Sequence, residues 1–180
     1  MTKERLASLM RDVFTDEVVP LLTDKFALGR VSLIWAEAMT ARDDIAGFLR
    51  TNSGRKATVY ETLSGFIAGL FALRYMIDKE EGETPRSSTD VFENEIMALR
   101  EAGQKEYAHD VNNAFANFER ASADLGIDRK QILWVFAMKH RDGVQSYLDG
   151  HHSQRENVRG RINDLIVYSL ILRGMIEEEN

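Results

Sequence analysis

The segment KATVYETLSGFIAGLFALRYMIDKE, residues 56–80, decides the fold. Val59, Leu63, Phe66, Ile67, Leu70, Phe71 and Ile77 recur at helical spacing, and Ala68, Ala72 and Leu73 fill the positions between them. Hardly any polar face remains in the middle of the segment, and a helix of that kind has to be covered on several sides. It is either the centre of a bundle or a surface that packs against its own copy in a homo-oligomer, and the residues leave both open. Its longest apolar run, Gly65 to Leu73, is far shorter than the roughly 20 residues that cross a bilayer, so a buried helix and no membrane partner are expected.

Working outward, helix-entry signals recur. Thr58 with Glu61, Asp90 with Glu93, Asp128 with Gln131 and Ser153 with Glu156 each place a capping oxygen three residues ahead of an acid or amide that can answer it. The chain has only two prolines, Pro20 and Pro85, and no sustained β-branched alternation. The expected class is therefore all-α, a multi-helix bundle of about six to seven helices, oligomeric in assembly. The spacing predicts helices at 3–14, 30–50, 56–80, 90–102, 109–124, 128–149 and 154–177. The main break is KEEGETPRSST, residues 79–89, where acids, Gly, Pro and Ser/Thr cluster. It separates an N-terminal helical region, 1–85, from a C-terminal one, 86–180, within one compact unit.

Composition narrows the function. With 180 residues, 44% apolar and 29% charged, the chain has ordinary globular composition. A net charge of −6 lacks the basic excess that holds a phosphate backbone, so no polymeric nucleic acid is expected, whereas single nucleotides remain open. The absence of cysteine removes disulfides and thiolate metal sites. MTKERLASLMRDVF, residues 1–14, lacks the apolar core of a signal peptide, and the cytoplasm is the expected location.

Several polar residues sit at the rims of apolar helical faces. In DRKQILWVFAMKHRDGVQSYL, residues 128–148, the stripe Leu133, Phe136, Ala137, Val144 and Tyr147 carries His140 on or beside it, with Lys139 and Asp142 flanking. On the helix alone, a core-edge histidine satisfied by one hydrogen bond is the plainer reading of His140. In the last helix Asp164 shares a face with Tyr168, Ile171 and Met175, and Arg161 lies one turn before it. A carboxylate there needs a partner, and two are open: Arg161, or a Mg2+ ion completed by phosphate oxygens. His109, His151 and His152 do not form a two-histidine zinc pair, and no glycine-rich phosphate loop is present.

Read together, GQKEYAHDVNNAFANFER (103–120), WVFAMKHRDGVQSYL (134–148) and SQRENVRGRINDLIVYSLIL (153–172) resemble the first nucleotide-modification-associated domain family, small proteins common in phages. The residues that match are Lys105 and Tyr107, Asn117 and Phe118, Lys139 and Asp142, and Asp164 with Tyr168, and the likeness covers about Glu95 to Glu177. Glu106 and Ala108 stand where that pattern has aspartate and glycine. The resemblance implies handling of nucleotides or modified nucleotides, in a bacterial host cytoplasm if the protein is a phage's. On that reading Lys105 meets phosphate, Asn113 and Asn117 offer paired edges to a base, and Tyr107 and Phe118 offer stacking faces. The plainer alternative makes Phe115 and Phe118 core, Asn112 and Asn113 a turn or cap, and Lys105 a solvated charge.

The expected function is thus a nucleotide-binding protein that captures or sequesters its ligand between helices, with Lys105, Lys139, Arg159 and Arg161 as cations. The alternatives are a magnesium-dependent nucleotide hydrolase or transferase and a structural oligomerisation protein. Glu93, Glu95 and Glu101 are wrongly spaced for the Glu-Glu-x-x-Glu run of all-α nucleoside triphosphate pyrophosphatases, and Arg161 occupies the place of the acid three residues before Asp164. Two metal ions would lack ligands.

Overall fold

The computed structural model describes residues 1–51, 55–110, 112–152 and 156–179, and among these it is all-helical, without strands. Seven helical stretches follow one another. α1 runs over 3–27, α2 is Val31–Thr51, α3 is Lys56–Glu80, α4 runs over 88–108, α5 is Ala116–Leu125, α6 is Arg129–Leu148 and α7 is Val158–Glu178. Two compact units result, Met10–Phe92 and Met1–Leu9 with Glu93–Asn180, so the boundary falls inside α4 rather than at the 79–89 break.

α1 and α4 are not uniform α-helices. Val13–Val18, Phe92–Ile96 and Gln104–Ala108 are turns of π-helix, each wider than an α-turn. The first of them explains why α1 passes Asp12–Ala27 without a break, where the sequence had suggested a stop near residue 14. Pro20 lies near the start of Val19–Ala27, and the ladder has already been loosened just ahead of it, which eases the missing N–H and the ring clash.

The caps revise the sequence reading in part. Asp128 does cap α6, accepting from Lys130 N–H at 2.8 Å. Ser87, not Asp90, caps α4, its hydroxyl accepting from Asp90 N–H at 3.1 Å. α3 starts behind Arg55, ahead of Thr58. Ser153 lies outside the described residues, and Asn157 caps α7 by accepting from Gly160 N–H at 2.8 Å. The helix expected at 109–124 begins only at Ala116, because His109 adopts a left-handed backbone (φ 56°) that ends α4.

In the unit Met10–Phe92, α3 packs with α2 and the later part of α1. Phe14 stacks on Phe92 with centroids 4.1 Å apart and meets Phe71 at 5.3 Å. Phe66, Ile67 and Leu70 are 0% exposed within a single chain. The middle of α3 is therefore the centre of a bundle, and the alternative, that Phe66 to Phe71 form a subunit contact, is overturned. The one polar side chain in that stretch of the helix, Ser64, is buried and donates to Glu17 Oε2 at 2.6 Å.

In the other unit, α6 and α7 pack along their length, joined by α4 and α5. Leu133, Ala137, Val144, Ile162, Leu165 and Ile166 are buried between them. Gly174 of α7 allows close approach: a Cβ there would lie 2.5 Å from Leu6 Cδ1 and 3.4 Å from Phe115 Cζ. Arg129 lies over the Phe115 ring at 5.2 Å and pairs with Glu119 at 2.5 Å and Glu178 at 2.8 Å, tying the start of α6 to the end of α7. No helix among the described residues is long and apolar enough to cross a membrane.

Candidate functional site

The α6–α7 pair is an antiparallel ladder. Gly143 faces Arg161, His140 faces Asp164 and Phe136 faces Tyr168, so each step back along α6 meets a step forward on α7. Residues three and four apart share one face of a helix, which is why 136, 140 and 143 line up opposite 161, 164 and 168.

The middle rung holds the titratable groups. His140 is 9% exposed, and its Nδ1 lies 3.0 Å from Asp164 Oδ2. The two atoms are not aligned as a hydrogen bond, and Nδ1 is a buried nitrogen with no hydrogen-bond partner among the described residues. Glu156, just ahead of the α7 cap, folds back over Gly160, where a Cβ would stand 3.3 Å from its Oε1. One ligand atom from each of His140, Glu156 and Asp164 lies within 4.8 Å of the others.

Burial and like charge govern the protonation of this cluster. Burial raises the Asp164 carboxyl to about 7, helped by the charge of Glu156 and a hydrogen bond with it, against the opposing pull of Lys139 and Arg161. Burial lowers the His140 imidazole, and Lys139 and Arg161 add to this while Glu156 opposes it. Tyr168 is pushed up to about 12 by burial and then by Asp164, Tyr107 and Glu156. A neutral imidazole beside two carboxylates, at least one of which burial penalises when charged, is a donor set that a divalent cation would relieve.

Aromatic rings close one end. Phe136 and Tyr168 have centroids 6.5 Å apart at an interplanar angle of 17°, and Tyr168 meets the His140 ring at 5.7 Å. Phe136 is 46% exposed and Tyr107 54% exposed. The wide turn Gln104–Ala108 presents Tyr107, and Arg120 holds that turn by donating to Tyr107 O at 2.6 Å. Tyr107 itself is raised by its hydrogen bond to Glu106, with a smaller push from Asp164, which places it within the electrostatic reach of the cluster.

Of the residues singled out in the sequence, the structure brings together His140, Asp164, Tyr168, Arg161 and Tyr107, with Lys139 exposed on α6 but close enough to bias Asp164. Arg161 Nε lies 3.8 Å from Glu156 Oε2. The others stand elsewhere. Lys105 pairs with Glu101 at 3.1 Å on the exposed side of α4. Asn113 forms the turn before α5, accepting from Phe115 N–H at 3.0 Å and donating to Glu119 at 2.5 Å. Phe118 is 5% exposed and meets Phe136 edge-on at 6.3 Å, so its faces belong to the core. Asn117 is half-buried on α5. Asp142 is exposed and pairs with Arg141 at 3.0 Å.

Three residues beside the cluster do not stand out in the sequence: Glu156 fits a capping pattern with Ser153, Phe136 fits the apolar stripe, and Gly143 carries no signal. The one available signal was Glu156 and Asp164 eight residues apart, near two helical turns. No family model, curated protein or solved structure matches the chain.

Proposed function

We propose that the protein binds a divalent transition-metal ion through His140, Glu156 and Asp164 and uses it, with Arg161 and Lys139, to hold a nucleotide. The observation that carries this reading is the convergence of the three ligand atoms within 4.8 Å, one of them a buried imidazole nitrogen 3.0 Å from a carboxylate oxygen and without a hydrogen-bond partner among the described residues. Metal–ligand bonds of about 2.0–2.2 Å put neighbouring donor atoms roughly 3 Å apart, close to the His140–Asp164 separation. The nitrogen ligand favours Mn2+ or Zn2+ over Mg2+, which prefers an all-oxygen shell. Two cations beside the cluster suit phosphate, and the resemblance to nucleotide-handling proteins supplies the ligand class. Binding is favoured over hydrolysis because coordination engages both carboxylates of the cluster and leaves neither as a general base.

Titration with Mn2+, followed by electron paramagnetic resonance of the unbound ion, tests the reading. One ion per chain is expected, with Glu156→Gln and Asp164→Asn each weakening it about 100-fold or more, beyond the 10–100-fold typical of residues that merely support ligands. Calorimetry should then show ADP binding strengthened by Mn2+, and nucleotide turnover in the same mixture should be absent. Failure to bind Mn2+, or equal binding by both variants, rules the centre out.

A further inference from the structure

The rungs of the α6–α7 ladder differ in chemistry and occur in a fixed order. At one end Phe136 exposes nearly half its surface and stacks on Tyr168. In the middle stands the His140–Asp164 pair, and at the other end Arg161 lies across Gly143. A Cβ at 143 would collide with Nη1 and Cδ of Arg161 and come within 2.5 Å of Cζ, so the guanidinium occupies the space that any side chain at 143 would take. Glycine in a helix interior costs about 1 kcal/mol relative to alanine. Here it makes the notch that sets where the cation lies.

Seven residues separate Phe136 from Gly143, about 10 Å of helix at 1.5 Å per residue. From this order we infer that the α6–α7 ladder binds its ligand in one orientation, the flat ring against Phe136 and the terminal anionic group on Arg161, with Gly143 as the positioning residue of that arginine. The inference rests on the nucleotide-binding reading of the same site. An aromatic face attracts a planar ring whatever its substituents, whereas a planar guanidinium rewards a second phosphoryl group with paired charge-assisted hydrogen bonds. A span of about 10 Å fits a ring and a terminal phosphoryl group separated by a sugar and a second phosphate better than it fits a monophosphate.

The test is calorimetry on the Mn2+-loaded full chain with ADP, AMP and inorganic pyrophosphate. The wild-type protein should prefer ADP to each of the others by about 10-fold, the scale of one stacked ring or one charge-assisted contact. Phe136→Ala should erase the preference over pyrophosphate while keeping that over AMP, and Phe136→Trp should restore it. Gly143→Ala should erase the preference over AMP with one Mn2+ still bound per chain and helicity unchanged, a pattern that a structural role of Gly143 would not produce. If both variants lose the same preference, or neither changes, the orientation is wrong while the metal centre stands. No binding of any probe to protein that holds Mn2+ overturns it as well. If Mn2+ itself fails to bind, the metal reading falls, and the same three ligands on the metal-free chain still decide the orientation.

Discussion

Phe66→Glu is expected to abolish the folded state. The side chain is 0% exposed in the middle of α3, among Leu63, Ile67 and Leu70, which are equally buried. The substitution removes about 2–3 kcal/mol of apolar burial and leaves a carboxylate with no partner in that environment, at a further cost of several kcal/mol. Natural domains hold only about 5–15 kcal/mol in total, so the two losses together consume most of it. Phe66→Leu, which keeps most of the volume, should cost about 1–2 kcal/mol and still fold. Circular dichroism with size-exclusion light scattering reads both outcomes. A soluble, fully helical Phe66→Glu protein of smaller mass would mean that this helix is covered by a second copy and not by its own chain.

Asp164→Asn should act in the opposite direction, stabilising the metal-free protein at alkaline pH. The Asp164 carboxyl is raised to about 7 in the folded chain from its ordinary 3.8, chiefly by burial and then by Glu156. A raised folded value means that the folded state holds the proton more tightly. Its contribution to stability is therefore full below about pH 4 and is lost as pH rises through about 7. Asparagine never ionises, and its amide can still donate to Glu156. With allowance for the partial exposure of the group, the gain at pH 8 is about 1–3 kcal/mol, or roughly 3–10 °C in Tm for a chain of this size. The two proteins should melt together at or below about pH 4, draw apart progressively between about pH 4 and 7, and keep a constant separation above that. Parallel melting curves across that range would show that burial does not penalise this carboxylate. Saturating Mn2+ should reverse the order at pH 8, since the ion stabilises only the protein that binds it.

How much of this was legible depended on whether the signal was local. The limits of α3 could be read from residues 56–80 because all-round apolarity ends where Lys56 begins it and Lys79 and Glu80 close it. The Asp128 cap was equally local. The wide turns were not, because i→i+5 hydrogen bonding has no residue code, and so the helical stretch at 104–108 and the continuation past residue 14 were missed. At the candidate site, His140, Arg161, Asp164 and Tyr168 stood out one helix at a time as polar groups beside apolar stripes. What the sequence does not encode at short range is the register between α6 and α7. That register turns Gly143 into a seat for Arg161, and the packing leaves Phe136 half-exposed where helical spacing alone had placed it in the core. Glu156 satisfied a capping pattern, and a pattern already explained conceals a second use of the same residue.

The three wide turns also bear on how the chain tolerates changes in length. A turn of π-helix holds one residue more than the α-turn it replaces, so deletion of one residue there can restore an ordinary helix, whereas a deletion within α6 or α7 would rotate every later side chain by about 100°. Val13–Val18 and Phe92–Ile96 are thus places where chains of this fold can differ by one residue at little cost. The turn at Gln104–Ala108 is different, because Tyr107 lies within it, in the electrostatic reach of Asp164. Shortening that turn would leave a sound helix whose tyrosine faces another way.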